Sequence, residues 1–154
     1  MMESELDVLR DVSERLESAG IAFMLTGSMA ISYYAQPRMT RDIALVVALT
    51  EEQTQVVVGL FEADYYLDSQ AISLAIAQRS MFNLIHIETV IKVDCIVLKS
   101  DDYRREEFER RKSISLGSLQ TWIVSLEDLI FKALLGQGHA LRVTTEGGAK
   151  PAGG

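Results

Sequence analysis

An α/β (α+β) fold, with a mixed β-sheet flanked by helices, is what this sequence predicts, and three observations carry that expectation. Short apolar runs at Ile21–Leu25, Asp42–Ala48 and Ile91–Leu98 are rich in branched residues and read as buried strands. Other segments place apolar residues at helical spacing, as at Leu6, Leu9, Val12 and Leu16. The order of elements mixes helix, strand and hairpin, which favours a mixed sheet with helices packed on it.

The first helix, around Leu6 to Leu16, ends at Gly20 as a C-cap. After the strand Ile21–Leu25, Gly27-Ser28 opens a second helix through Ala30, Ile31 and Tyr34, stopped before Pro37. The strand Asp42–Ala48 leads to Thr50-Glu51-Glu52-Gln53, a capping-box pattern, and a helix that buries Val57, Leu60 and Phe61. Ser69–Gln78 is a further helix. Met81–Glu88 and Ile91–Leu98 form two strands joined by a tight turn near Thr89-Val90. Asp101–Lys112 is a charged helix, Gln120–Val124 a strand, and Ser125-Leu126-Glu127-Asp128 a second capping box before an apolar helix ended by Gly136.

The length of 154 residues suits one domain, and a hydrophobic content of 48% argues against disorder. Residues 1–143 are expected to form that domain. From Thr144 to Gly154 the chain has no apolar periodicity and reads as a disordered tail. The net charge is -7, which excludes nucleic-acid binding by bulk charge. A phosphate ligand must then meet a local basic cluster or a metal ion. The single cysteine, Cys95, fits a reducing compartment. The acidic start lacks the order of a signal peptide, and no apolar run is long enough for a bilayer, so no membrane is expected and the location is read as cytoplasmic.

The chemistry concentrates in Thr26-Gly27-Ser28 and Thr40-Arg41-Asp42-Ile43-Ala44. A glycine–serine turn at a helix N-terminus can present backbone N–H groups to a phosphate, or can be an ordinary strand-to-helix turn. Side chains alternate along a strand, so Asp42 and position 44 share a face. Two acids at that spacing can share a divalent cation, and Asp94 on a neighbouring strand can add a ligand. The blander readings are a strand-end acid paired with Arg41 or Arg38, and a salt-bridged Asp94. Arg38, Arg41 and Lys92 can meet phosphate charge or stand as solvated surface bases.

The ordered set Phe23-Met24-Leu25-Thr26-Gly27-Ser28, then Arg41-Asp42-Ile43, then Ile91-Lys92-Val93-Asp94, resembles the nucleotidyltransferase superfamily of the DNA polymerase β type. More narrowly it is similar to small bacterial proteins related to the AbiEii toxin and to the minimal nucleotidyltransferases. Segments Phe82–Glu88 and Trp122–Ile130 also look familial, so the resemblance spans roughly Gly20 to Leu135. It implies the nucleotidyltransferase fold and transfer of a nucleotide from an NTP to a hydroxyl on RNA, protein or a small molecule. It implies Asp42 and Asp94 as catalytic residues holding Mg²⁺ (or Mn²⁺). Gly27, Ser28, Arg41 and Lys92 would bind the nucleotide. Many relatives work in toxin–antitoxin pairs, which implies a toxin–antitoxin partner protein.

Two departures qualify that implication. Ala44 stands where the family has its second acid, so the expected transfer is weakened on the order of a thousandfold or lost. Relatives continue with further helices where this chain has its Gly-rich segment. The alternative is a non-catalytic nucleotide-binding or toxin–antitoxin partner module. Elsewhere the expectations are structural. His86 is a hydrogen-bonded core histidine, Cys95 a buried thiol, and Tyr33 and Tyr34 are packing residues. The run Arg104–Lys112 is a solvated helix with Glu106–Arg110 and Glu107–Arg111 pairs.

Overall fold

The computed structural model describes residues 4–35, 42–132 and 134–135. They fall into two compact units divided between Val124 and Ser125. In the first unit the elements run α1 (Glu5–Ser18), β1 (Phe23–Thr26), α2 (Gly27–Tyr34), β2 (Asp42–Val47), a 3₁₀ turn (Glu51–Gln53), α3 (Thr54–Phe61), β3 (Tyr65–Tyr66), α4 (Ser69–Gln78), β4 (Met81–His86), β5 (Lys92–Val97), α5 (Asp102–Glu109), β6 (Lys112–Leu116) and β7 (Leu119–Ile123).

The strands form one mixed sheet in the order β3-β4-β5-β2-β1-β7-β6. Strand β2 lies parallel to β5 and antiparallel to β1, and β1 pairs parallel with β7. One face carries Phe23, Leu25, Ile43, Leu45, Val47, Val93, Cys95, Leu84 and His86, all buried. Helix α1 closes it with Val8, Leu9, Val12 and Leu16 and joins β7 through the buried Ser13–Thr121 hydroxyl pair at 3.0 Å. Helix α3 adds Phe61, whose ring meets Tyr65 edge-on at 5.2 Å.

Local chemistry explains the element ends. Ser4 caps α1 by accepting from the Asp7 N–H at 3.2 Å, and Gly20, at φ +69°, turns the chain out of that helix. The Thr50 N–H donates to Gln53 Oε1 at 2.8 Å, the reciprocal half of the expected capping box. The β4–β5 turn closes with His86 N–H to the Ile91 carbonyl at 2.8 Å, and Val90 sits at φ +60°. His86 Nδ1 lies 2.9 Å from Thr89 Oγ1, so the histidine is the hydrogen-bonded structural residue expected.

Two expectations fail. The charged helix stops at Glu109, and Lys112 begins β6 instead of ending a helix. There the Arg111 guanidinium lies over the rings of Phe108 and Trp122, at 4.3 and 4.7 Å, and β6 pairs with β7 through a turn containing Gly117 at φ +63°. The run is also not wholly solvated: Glu107 and Phe108 are buried, Glu107 pairs with Arg104 at 3.5 Å, and Glu106 meets Arg110 at 3.9 Å as expected. Strand β3 escaped prediction because two residues carry no periodicity.

The second unit begins with Ser125, whose hydroxyl accepts from the Asp128 N–H at 3.1 Å and donates to Asp128 Oδ2 at 2.7 Å. It caps the helix over 126–132 as the sequence predicts. Gly136 and the segment 144–154 read as a tail lie outside the described residues. Among the described residues no helix is long and apolar enough to cross a membrane.

Candidate functional site

The face of the sheet opposite α1 and α3 is buried at Met24, Val46 and Thr26 and carries Asp42, Lys92, Asp94 and Asn83 toward one end. Laterally paired residues share a face, so the register fixes which side chains meet. Asp42 stands beside Lys92, and Ala44 beside Asp94. The row through Asp94 and Ala44 extends to Asn83 on β4 and to Thr26 on β1. The row through Asp42 and Lys92 extends to Ile85, and then to Tyr66 on the edge strand. Asp42, Asp94 and Lys92 thus gather at one end of the sheet.

The Gly27–Ser28 turn reaches the same end. Thr26 is the register partner of Ala44, and Gly27 follows it directly. Gly27 has φ +73°, and a Cβ there would lie 3.0 Å from Ala44 Cβ. Only glycine combines that backbone with that approach, so the turn is built against the residue occupying position 44. Helix α2 starts here with no side-chain cap from Thr26 and no acid in its first turn. Its N-terminal N–H groups are suited to an anion. Tyr34 holds the far end by donating to the Val124 carbonyl at 2.9 Å.

Lys92 Nζ lies 3.5 Å from Asp94 Oδ1. That oxygen is buried and makes no hydrogen bond, so the lysine contact is a long ion pair without directed bonding. The lysine side chain is 40% exposed and the aspartate 19%. Next along β5, Cys95 points to the covered face, where burial first and the Asp94 charge second push its thiol well up. It is the inert buried thiol expected.

Of the residues assigned from sequence, Gly27, Ser28, Asp42, Lys92 and Asp94 come together at this end of the sheet. Arg41, like Arg38, lies outside the described residues. Asn83, Ile85 and Tyr66 were missed. Asn83 breaks the apolar content of β4, but only the register with β5 gives that break a meaning. A cleft of about 240 Å³ opens beside Tyr66, Asp68, Asn83 and Ile85. A larger one, about 640 Å³, lies between α1 and the β6–β7 hairpin, lined by Glu14, Glu17 and several serines. Arg10 donates to Ser118 and Arg111 lies over Trp122 at the edge of that larger cleft, which among the described residues shares no residue with the Asp94 rows.

The divalent-metal expectation finds little support in this donor set. Asp42 and Asp94 are diagonal rather than adjacent in register, position 44 supplies a methyl group, and Asp94 already faces an ammonium. Among the described residues no three histidine, cysteine or acidic side chains converge on one point. Magnesium favours several oxygen ligands in near-octahedral array, which two carboxylates approach poorly.

No protein-family model matches the chain, and no curated protein matches its sequence. Solved structures do. A Thermotoga maritima protein, whose nucleotidyltransferase assignment is itself provisional, is 18% identical, with a TM-score of 0.61 over 91% of this chain and 88% of that one. An antigenic nucleotidyltransferase-like protein of Paracoccidioides brasiliensis is 18% identical, with a TM-score of 0.58 over 86% of this chain and 66% of that one. The lincosamide antibiotic adenylyltransferase LnuA, lincomycin-bound, is 15% identical, with a TM-score of 0.60 over 84% of this chain and 86% of that one. The mixed sheet, its flanking helices and these three likenesses together show that the chain has the nucleotidyltransferase fold.

Proposed function

We propose that this chain binds a nucleoside triphosphate at the Gly27–Ser28 turn and is a nucleotidyltransferase-type protein whose transfer chemistry is weakened. The acceptor would be a hydroxyl on RNA, protein or a small molecule. A small molecule is the case closest to hand, since the lincosamide adenylyltransferase is lincomycin-bound. We place the domain at residues 1–143, nearest in motif to the AbiEii-related and minimal nucleotidyltransferases.

One observation carries the reading. Ala44 lies in register with Asp94, on the face of Asp42, and against Gly27. The position is where a second acid would meet both carboxylates and the phosphate turn. Its replacement by a methyl group leaves the phosphate-facing part of the site and removes much of the metal-facing part. Binding is therefore expected to outlast turnover. Asp42 and Asp94 are the residues that would meet Mg²⁺ or Mn²⁺, and they meet it badly.

A second reading is favoured by the Lys92–Asp94 contact: a non-catalytic nucleotide-binding module, or a partner protein of a toxin–antitoxin pair. One experiment separates the two. α-Labelled NTPs, each in turn, are offered with Mg²⁺ or Mn²⁺ to the native chain and to Ala44→Asp, with total RNA and protein as acceptors. Slow label transfer by the native chain supports the enzyme. Binding without transfer by the native chain, with transfer restored in the variant, supports the module. No binding and no transfer in either removes the nucleotide reading.

A further inference from the structure

We propose that Lys92 is the resident cation of this site, so that the chain engages a nucleoside triphosphate without a divalent ion, a step that rests on the nucleotide reading above for its ligand. The register puts Lys92 beside Asp42, and its Nζ lies 3.5 Å from Asp94 Oδ1. The ammonium therefore stands at the junction of β2 and β5, where two carboxylate-bearing positions converge. Asp94 Oδ1 is buried without a hydrogen bond. A buried carboxylate oxygen in that state needs a positive charge close by, and the ammonium supplies it.

Ala44 completes the exchange. Among the described residues the Lys92 ammonium offsets carboxylate charge at the place where a divalent ion would have to sit, which weakens the draw on such an ion. The same ammonium is 40% exposed on a flexible stem, at the end of the sheet that Gly27 overlies. It can hold Asp94 and face a phosphate oxygen at once, because lysine acts as a point charge with three rotatable donors. The α2 N–H groups contribute the neutral donors. Nothing in this arrangement requires a metal for phosphate neutralisation, although chemistry at the α-phosphorus would still lack one.

The test is equilibrium binding of ATP, GTP, CTP and UTP to the whole chain, in EDTA and in Mn²⁺, with the native protein, Lys92→Met, Lys92→Arg and Asp94→Asn. The native chain is expected to bind its preferred nucleotide equally in both buffers. Lys92→Met should lose about tenfold or more in EDTA and regain it with Mn²⁺, while Lys92→Arg keeps metal-free binding. Native binding abolished by EDTA overturns the proposal, as does a Lys92→Met variant that binds normally in EDTA. If no nucleotide binds any variant, the nucleotide reading has failed, and Lys92 is judged separately by Mn²⁺ titration followed by electron paramagnetic resonance. A gain of about tenfold in Mn²⁺ affinity in Lys92→Met, erased in the Lys92→Met/Asp94→Asn double variant, sustains Lys92 as the resident cation; no gain overturns it.

Discussion

The two faces of the sheet treat their charges differently. On the covered side Arg15 uses all three of its guanidinium nitrogens: it donates to the Leu60 carbonyl at 2.7 Å and to Asp64 at 2.6 Å, and meets Asp11 at 2.9 Å. Its guanidinium also lies over the rings of Phe61 and Tyr65, and Tyr65 donates its hydroxyl to Asp11 at 2.7 Å. On the open side Asp94 Oδ1 has no hydrogen bond, and its ion-pair partner stands 3.5 Å away. A network of short, directed bonds contributes its stability at folding. An ammonium held by one loose ion pair keeps donors free for a ligand's phosphate oxygens. Buried polar atoms without a hydrogen bond also occur at Ser32 and Arg111, so what sets Asp94 apart is its place in register beside Ala44 and Lys92.

The largest expected effect comes from refilling the open face. Ala44→Asp adds a carboxylate beside Asp94 and two positions from Asp42, and should raise Mn²⁺-supported nucleotidyl transfer on the order of a thousandfold. Steady-state transfer of α-labelled NTP measures it. An unchanged rate and unchanged Mn²⁺ affinity would remove this strand from the site. The converse experiment acts on the covered face. Arg15→Met removes the contacts to Asp11, Asp64 and the Leu60 carbonyl, leaves Asp11 with the Tyr65 hydroxyl and Asp64 in water, and should cost about 1–2 kcal/mol in urea unfolding. Nucleotide affinity should not move, and a parallel loss of affinity would break the division between the faces.

Gly27 tests the boundary between them. Alanine there must adopt φ +73° and bring its Cβ within 3.0 Å of Ala44 Cβ, so Gly27→Ala should cost about 1–2 kcal/mol of stability. It should also weaken nucleotide binding, because relief of the crowding must move the turn that we propose binds the phosphates. Stability lost with affinity intact would make the turn purely architectural.

The contrast also explains what the sequence could disclose. The helix caps at Thr50 and Ser125 and the entry of β2 at Asp42 are local matters, settled within a few residues, and they were legible, whereas the Ser4 cap of α1 was not foreseen. So was the order glycine–serine, Asp42, Asp94. The edge strand Tyr65–Tyr66 was not, because its only reason to be extended is His86 and Ile85 about twenty residues away. Lys112 was assigned to a helix because charge spacing speaks of helix, while the pairing of β6 with β7 is decided by Gly117 and by Arg111 lying on Trp122. The neighbours of Asp94 were hidden for the same reason. Asn83, Ala44 and Lys92 meet there only through register, a property of three strands together.

The smallest effect separates two adjacent tyrosines. Tyr65 points to the covered face and is 2% exposed, whereas Tyr66 points to the open face and is 66% exposed. Burial, then the hydrogen bond to Asp11, then the Asp11 charge raise the Tyr65 hydroxyl above its ordinary value of 10.0. A group whose ionisation is raised on folding contributes stability that is present below its unfolded value and is lost as pH climbs toward the folded one. Tyr65→Phe should therefore cost about 1 kcal/mol near neutral pH, through the lost hydrogen bond. Above about pH 10 the native chain must keep Tyr65 neutral against the solvent, at up to about 1.4 kcal/mol per pH unit, and the variant need not. The two stability curves are thus expected to converge and cross on the alkaline side. Urea unfolding of both proteins from pH 7 to 11 measures this, with Tyr66→Phe as a surface control held within about 0.5 kcal/mol of native at neutral pH. Parallel curves for Tyr65→Phe and the native chain would mean that Tyr65 titrates in water, and the covered face would lose the closure that sets it apart from the open one.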